Sequence, residues 1–213
     1  MLEQLIPVFI TLLVVIDPVG IAPIFAALTR GGTAHYRRRM AIKGILLATA
    51  MLLFFVFTGD ALLRYLGISL PAFKIAGGAL LFLLAIDMVF ARHSGLRSTT
   101  VKEQEEAQYK DDISVFPLAF PLLAGPGALT TVLLTMSSPR HDPVLFAGLL
   151  GVLFAVLLLT LISLLAAPRL TRLLGETGSK VVDRLLGLIL TALAMQFIVD
   201  GVRASFFQES GLM

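Results

Sequence analysis

Two stretches that combine proline with glycine decide the fold: residues 17–25 read DPVGIAPIF, and residues 116–128 read FPLAFPLLAGPGA. Proline removes a backbone donor and clashes with the preceding helical turn, and glycine tolerates dihedral angles that other residues avoid. Each stretch interrupts a longer apolar segment about 12 to 13 residues from its start, which at 1.5 Å per residue is ~18–20 Å. We therefore predict two helices that are broken or re-entrant near the middle of a membrane.

Six apolar segments are long enough to cross a bilayer, which takes about 20 residues. They are Leu5–Leu28, Ala41–Leu63, Ala72–Phe90, Ile113–Met136, Val144–Ala167 and Leu185–Val202. The chain of 213 residues is 57% hydrophobic and 15% charged, and its mean hydropathy is +0.93, whereas soluble domains carry about 25% charged residues. The sequence therefore predicts an all-α integral membrane protein with six transmembrane helices, of which helices one and four are broken.

The composition also excludes several kinds of site. The chain has no cysteine, which rules out disulfides, zinc–thiolate sites and thiol nucleophiles. The three histidines, His35, His93 and His141, lie among polar residues, which argues against a metal ligated by histidine in the core. The net charge is only +3, and no basic run carries interleaved aromatics, so we expect no nucleic acid partner. We expect no metal and no cofactor.

The two breaks occupy matching positions of an internal repeat. Four landmarks recur in the same order at a shift of 108 or 109 residues. The matched pairs are Pro18 with Pro126, Arg64–Gly67 with Arg172–Gly175, Gly78 with Gly187, and Asp87 with Gln196. Three spans per half is an odd number, so the second half starts on the opposite side of the membrane. We predict two inverted three-helix repeats, at residues 1–91 and 113–213, joined by a polar cytoplasmic linker at residues 92–112.

The distribution of basic residues sets the orientation. Of the 17 Lys and Arg residues, 13 lie on one side, 12 of them in the segments that follow the first, third and fifth spans and Lys43 at the start of the second span. Lys and Arg accumulate on the cytoplasmic side of membrane proteins. We therefore expect both termini to lie on the non-cytoplasmic side.

The breaks are the candidate binding site. Each break creates a helix N-terminus, expected near Gly20–Ile21 and near Gly127–Thr130, whose free N–H groups and partial positive charge suit an anion. The carbonyls that end the preceding half-helix suit an ammonium group, so a small zwitterion would use both. The candidate substrate-binding residues are Asp17, Pro18, Gly20, Pro23, Gly125, Pro126, Gly127, Thr130 and Thr131. The alternative is that the kinks serve helix packing alone.

Polar residues inside the spans are candidates for ion coupling, because such residues are costly in a bilayer. Asp17 could hold a proton, a sodium ion or a substrate ammonium, or it could simply cap the following half-helix. Asp87 is a second candidate, although it could instead face headgroup water, and its repeat partner Gln196 is a third. Thr130 and Thr131 could donate to a substrate or bond back to their own helix.

The small residues of the third span suggest close packing rather than binding. The span contains the cluster Ala76–Ala79, and Gly187 is its match in the second half. Small residues let two membrane helices approach closely. We therefore expect this cluster to lie at a helix crossing.

The two stretches quoted above, residues 17–25 and 116–128, resemble the signature motifs of the MarC family of bacterial and archaeal inner-membrane proteins. The resemblance covers essentially the whole chain. It implies a multi-pass protein of the inner membrane, and some members of the family are described as transporters of small neutral amino acids such as alanine and glycine. Carried over by position, the motif residues are Asp17, Pro18, Gly20 and Pro23 from the first stretch and Gly125, Pro126 and Gly127 from the second.

The leading hypothesis is a secondary transporter or exporter of small neutral amino acids. Its expected partners are a small zwitterionic substrate and the lipid bilayer, and a homo-oligomer is a candidate assembly. The chain has no ATP-binding signature, so a proton or sodium gradient would drive it. Alternatives are transport of another small molecule, drug or lipid carrier, or a membrane subunit without transport. An enzyme is not expected, because no span contains His or Cys and the buried Ser163 has no evident partner.

Overall fold

The computed structural model of the protein describes residues 2–90, 112–137 and 142–207, and helices dominate these ranges. In chain order the helices are α1 (Leu2–Ile16), α2 (Pro18–Leu28), α3 (Ala34–Tyr65), α4 (Leu70–Phe90), α5 (Ser114–Leu123), α6 (Pro126–Ser137), α7 (Pro143–Leu165) and α8 (Ala167–Phe207). No β-strand occurs in the described ranges. Apart from Asp112, the predicted linker at residues 92–112 lies outside them.

Helix length and hydropathy confirm an all-α integral membrane protein. Five segments are long and apolar enough to cross a bilayer, and one of them is Glu3–Leu28, which joins α1 and α2. Helices α5 and α6 meet at a bend of 56° and together form a sixth candidate span. The six predicted spans are therefore found if the bent pair is counted as one of them.

Side-chain caps fix the starts of three helices. The Asp17 carboxylate caps α2, the Thr33 hydroxyl accepts a hydrogen bond from the backbone N–H of Tyr36 at the start of α3, and the Asp142 carboxylate caps α7. Each of these oxygens satisfies backbone donors that have no partner within the helix. The caps place the turns between helices at fixed residues.

Helices from one half of the chain pack mainly against helices from the other half. The most extensive contact joins α4 to α8. Further extensive contacts join α2 with α8, α4 with α6, α3 with α5, α1 with α7, α3 with α6, and α2 with α7. Among the described residues, the core therefore forms between the two halves rather than within either of them.

Glycines allow the close crossing of α4 and α8. A Cβ atom on Gly78 would lie 2.8 Å from the carbonyl oxygen of Ala194, and one on Gly187 would lie 2.7 Å from Cβ of Met88. Either contact is too short for a real side chain, so only glycine fits at these positions. The interpretation of this small-residue cluster as a packing feature is confirmed.

The sixth helix begins earlier than the hydropathy of the sequence indicates. Only Ala166 separates α7 from α8, and α8 is helical from Ala167, apart from a kink at Gly175, where φ is 64°. The polar residues before Leu185, which lie outside the predicted sixth span, are therefore helical. They pack against α2, and such tertiary packing overrides a weak local preference.

Candidate functional site

The first break centres on Asp17, which lies between α1 and α2. Its backbone is left-handed (φ 48°, ψ 73°), and its side chain is completely buried. Carboxylate oxygen Oδ1 accepts a hydrogen bond of 2.9 Å from the backbone N–H of Gly20. The capping role suggested for Asp17 is therefore confirmed, and the new helix starts at Pro18, slightly before the expected start near Gly20–Ile21.

The carbonyl oxygen of Pro18 accepts a hydrogen bond from the other half of the protein. Ser163 of α7 donates a hydrogen bond of 2.5 Å from its hydroxyl to this oxygen, across 145 residues of sequence. Ser163 therefore has a hydrogen-bond partner that the sequence does not reveal, and this partner is a backbone carbonyl rather than the base that a nucleophilic serine would need. Pro23 lies inside α2 and does not end it.

A second carboxylate reaches the first break from α8. The point where a Cβ atom would stand on Gly20 is 2.2 Å from Oδ2 of Asp17 and 2.6 Å from Oδ1 of Asp183. The two oxygens are therefore at most 4.8 Å apart, the sum of these two distances. Asp183 was not among the predicted site residues, because it precedes Leu185, where the predicted sixth span begins. The signal was the four-residue spacing of Ser179, Asp183 and Gly187, which places all three on one helix face.

The second break lies between α5 and α6 and carries no charge. Phe116 and Phe120 have extended dihedral angles inside α5, because each precedes a proline and the proline ring disfavours the helical region there. Helix α6 starts at Pro126. A Cβ atom on Gly125 would stand 2.3 Å from the carbonyl oxygen of Pro121, so glycine is required where the chain turns.

The two threonines after the second break differ in environment. Thr130 packs against α4, where a Cβ atom on Gly77 would overlap its methyl group at 1.8 Å. Thr131 is completely buried, and its hydroxyl has no hydrogen-bond partner among the described residues. The alternative that Thr131 bonds back to its own helix is therefore wrong. A buried hydroxyl without a hydrogen-bond partner destabilises the folded protein. Thr131 is therefore a stronger candidate than Thr130 for binding a ligand.

The two breaks are neighbours. A Cβ atom on Gly127, in the first turn of α6, would lie 3.6 Å from Cγ1 of Val15 and 2.8 Å from Cδ2 of Leu81. Val15 is in the last turn of α1, two residues before Asp17. The candidate residues at the two breaks, 102 or more positions apart in sequence, thus lie around one region of the protein interior.

The other two coupling candidates lie on α4 and α8. Asp87 on α4 is only 9% exposed, so the alternative that it faces headgroup water is wrong. Gln196 is on an exposed part of α8, where its amide donates a hydrogen bond of 2.7 Å to Asp200. Asp200 also lies 3.5 Å from the ammonium of Lys74. Gln196 therefore belongs to a polar group along the α4–α8 crossing.

An ion pair between α3 and the residue before Ile113 holds the entry to α5. Lys43 donates a hydrogen bond to Oδ2 of Asp112, and the backbone N–H and hydroxyl of Ser114 donate to Oδ1 at 2.9 and 2.5 Å. These contacts, with Lys43 first, lower the pKa of the Asp112 carboxyl from 3.8 to about 2. This ion pair holds the start of α5 against α3.

The arrangement offers groups of both signs to a ligand. The start of α6 presents backbone N–H groups and the Thr131 hydroxyl, whereas the start of α2 is flanked by the carboxylates of Asp17 and Asp183. Within the described ranges, no three His, Cys, Asp or Glu residues gather as metal ligands would. The two breaks therefore offer hydrogen-bond donors on one side and carboxylates on the other.

Comparison with known proteins places the chain among membrane proteins. A model of the MarC family of integral membrane proteins matches residues 2–206. A UPF0056 membrane protein of Methanocaldococcus jannaschii is 38% identical over 206 residues, which cover 96% of this chain and 98% of the relative. Another, from Escherichia coli, is 35% identical and covers 93% and 91%, and one from Bacillus subtilis is 34% identical and covers 97% of both. No solved structure matches. With a family match that spans nearly its whole length, the chain belongs to the MarC family of integral membrane proteins.

Proposed function

We propose that this protein is a secondary transporter of small neutral amino acids such as alanine and glycine, which exposes one site alternately to the two sides of the membrane. A proton or sodium gradient drives the movement, and no covalent step is involved. The membrane in question is the inner membrane of a bacterial or archaeal cell, with both termini on the non-cytoplasmic side. Membership of the MarC family supports an integral membrane protein. The names of the relatives say only that they are membrane proteins, so transport and its substrate are our proposal.

The observation that carries this proposal is the adjacency of the two breaks. Unwound backbone at membrane depth is tolerated only where protein buries it or a cavity meets it. Because Gly127 lies beside Val15, the start of α6 is next to the end of α1. The ends of α1 and α5 and the starts of α2 and α6 therefore lie close together. Interrupted helices at corresponding positions of two halves are a recurring feature of transporter binding sites.

The packing of the helices supports an inverted repeat. Under the repeat, α1 to α4 correspond to α5 to α8. The contact of α2 with α8 then corresponds to that of α6 with α4, and the contact of α1 with α7 corresponds to that of α5 with α3. A repeat of this kind lets one sequence adopt two related states that open to opposite sides.

The chemistry at the breaks favours a small zwitterion. In the proposed complex, the substrate carboxylate binds the N–H groups at Gly127 and the Thr131 hydroxyl, since a helix N-terminus favours an anion. The ammonium group binds the carbonyls that end α1 and α5. The side chains near Gly127 are Val15, Leu81 and Leu84, which would give the uncharged side chain of the substrate apolar neighbours. Asp17 is assigned to the coupling ion.

Uptake by proteoliposomes tests the proposal. Purified protein is reconstituted, and uptake of labelled alanine and glycine is measured with imposed pH and sodium gradients and with an unlabelled panel of competitors. We expect saturable uptake that small neutral amino acids inhibit and that one of the two gradients drives. Absence of uptake by vesicles that contain folded protein would overturn the substrate class.

A pair of glycine variants separates a defect at the site from a general defect. Gly127→Leu fills the region between the breaks and should abolish uptake. Gly151→Leu is the matched control, because Gly151 lies on α7 with no atom within 4 Å of the added Cβ, and it should transport normally. Normal uptake by Gly127→Leu would exclude the second break as the site.

A further inference from the structure

The first part of α8 carries four exposed basic residues, which are Arg169, Arg172, Lys180 and Arg184. No ion pair joins any of them to another residue of the described ranges. Exposed basic side chains in this condition can bind an anion from outside the protein. This end of α8 is therefore a candidate surface for an anionic partner.

The acidic residues of the same stretch do not cancel its charge. Residues 167–184 contain two of them, Glu176 and Asp183, so the stretch has a net charge of +2. Oδ1 of Asp183 is buried, and it lies 2.6 Å from the point where a Cβ atom would stand on Gly20 of α2. The Asp183 carboxylate is therefore directed into the protein and away from the exposed surface.

The helices with extensive contacts to α8 add no exposed charge at this end. Helices α2 and α7 carry no charged residue, and α1 carries only Glu3, near its start. Helix α4 carries Lys74, which pairs with Asp200 toward the other end of α8, and Asp87, which is buried. The surface at the start of α8 therefore remains positive.

Lys180 and Arg184 border a row of exposed apolar side chains. Val181, Leu185 and Leu188 are 50%, 60% and 64% exposed, and their spacing of four and three residues places them on one side of α8. They belong to the last candidate membrane span, so this side of the helix faces lipid acyl chains. Basic groups and lipid-facing apolar surface are therefore adjacent.

The two basic residues lie at the level of the lipid headgroups. The candidate span Thr177–Phe206 has 30 residues, which at 1.5 Å per residue make it about 45 Å long. The hydrocarbon core is only about 30 Å thick, and the headgroups add to it on both sides. Lys180 and Arg184 are about 5 and about 10 Å from the start of the span, and long basic side chains extend from such positions toward the headgroups. Lipid phosphates are therefore the anions nearest to them.

We infer that the start of α8 is a binding surface for anionic phospholipids. The headgroup phosphate binds Lys180 and Arg184, and the acyl chains lie along Val181, Leu185 and Leu188. Arginine suits a phosphate because its guanidinium group donates two parallel hydrogen bonds, and basic clusters beside a membrane helix recognise anionic lipids.

The inference does not depend on transport or on its substrate. In the proposed orientation, the start of α8 lies on the cytoplasmic side, where anionic lipids give the membrane surface a negative potential. Arg169 and Arg172 add to the attraction of this surface for anionic lipid.

Quenching of fluorescence by brominated lipids tests the surface in a bilayer. The chain contains no tryptophan, so Leu185→Trp introduces a single reporter next to Arg184. The variant is reconstituted into phosphatidylcholine bilayers in which brominated phosphatidylglycerol or brominated phosphatidylcholine replaces part of the lipid. The ratio of the two quenching constants measures the preference for the anionic headgroup. We expect a preference of about threefold, since each basic residue near the membrane surface attracts anionic lipid.

Leu62→Trp is the matched control reporter. Leu62 of α3 is 42% exposed, and the charged residues nearest to it in sequence, Asp60 and Arg64, pair with each other at 2.9 Å. Because these two charges cancel, quenching there should not distinguish the two lipids. Equal preferences at the two reporters, or none at Leu185→Trp, would overturn the inference.

Removal of charge tests the assigned residues. In the Leu185→Trp background, Lys180→Gln combined with Arg184→Gln should lower the preference to about one. Both positions are exposed, so this variant should fold. Arg203→Gln removes an exposed basic residue at the other end of α8 and should leave the preference unchanged. A preference that persists without Lys180 and Arg184 would overturn their assignment, and Leu188→Trp on the same row replaces the reporter if Leu185→Trp does not fold.

A soluble headgroup analogue distinguishes a lipid from a free phosphate. Glycerol phosphate has the phosphate chemistry of the headgroup but no acyl chains, so it should leave the preference unchanged. Loss of the preference in its presence would overturn a lipid as the occupant. Absence of alanine and glycine uptake would affect none of these results.

Discussion

The two helix breaks occupy the same position in the two halves of the chain, yet they are built differently. At the first break, Asp17 takes a left-handed conformation, caps α2 and brings a negative charge, and Ser163 fastens the following carbonyl. At the second break, the chain bends by 56° through Gly125 and Pro126 without any charged residue, and the Thr131 hydroxyl has no partner. The proposed function assigns the coupling ion to the first break and the zwitterion to the second, in keeping with this difference in charge.

The largest effect should come from filling the first break. In Gly20→Leu, the new Cβ atom would stand 2.2 Å from Asp17 and 2.6 Å from Asp183. Since both carboxylates must move, we expect a loss of about 3 kcal/mol of unfolding free energy, together with loss of transport. Titration with denaturing detergent, followed by circular dichroism, measures the stability. Gly151→Leu should stay within about 0.5 kcal/mol of the wild type, and equal effects of the two variants would show that the first break is not tightly built.

The second break should show the opposite relation between stability and function. Thr131→Val removes a buried hydroxyl that has no partner, so the unfolding free energy should rise by about 1 kcal/mol. If the hydroxyl binds substrate, the KM for uptake should rise roughly tenfold.

Thr160→Val provides the matched control for this prediction. Thr160 is equally buried, but its hydroxyl donates to the carbonyl of Val156 at 2.8 Å. The control should gain no stability and should keep the wild-type KM. A Thr131→Val variant that loses stability would mean that its hydroxyl has a protein partner after all.

Removing the Ser163 contact should loosen the first break to a smaller degree. Ser163→Ala leaves the carbonyl of Pro18 without its donor, and we expect a cost of about 1 to 2 kcal/mol. Ser205→Ala is a suitable comparison, because Ser205 bonds only to a carbonyl of its own helix, at 3.0 Å. Detergent titration should find a cost below about 0.5 kcal/mol for Ser205→Ala. Equal losses of unfolding free energy in the two variants would mean that the Ser163 hydrogen bond does not stabilise the first break.

The smallest effect concerns the entry to the second break. Because the pKa of Asp112 falls from 3.8 in the unfolded chain to about 2 in the folded protein, its ionised form stabilises the fold. That contribution is complete above about pH 4 and is lost as the pH falls through about 2. The Lys43 and Asp112 side chains are 45% and 40% exposed, so Asp112→Asn should cost less than about 1 kcal/mol at neutral pH. The difference between variant and wild type should vanish in acid.

Much of this architecture could be predicted from local chemistry. Proline and glycine inside apolar segments located both breaks, and small residues located the α4–α8 crossing, because both signals act within a few residues. Asp17 as a cap followed from its place before Pro18. These features depend on the backbone preferences of single residues.

The features that escaped prediction depend on contacts between distant parts of the chain. Ser163 finds its partner 145 residues away. Asp183 lies in a polar segment outside the predicted spans, and its place beside Gly20 depends on the packing of α8 against α2, which no hydropathy window contains. The unpartnered hydroxyl of Thr131 likewise depends on what surrounds it rather than on its neighbours in sequence.

The packing of each half against the other has a consequence for biosynthesis. When the ribosome has completed α1 to α4, the surfaces of α2 and α4 that will receive α8 have no protein partner, and Gly78 lies open to lipid or to an insertion factor. The first half therefore waits in the membrane as separate helices until the last helix of the chain arrives. A chain truncated before α8 should be inserted and then degraded, because its final assembly step has been removed.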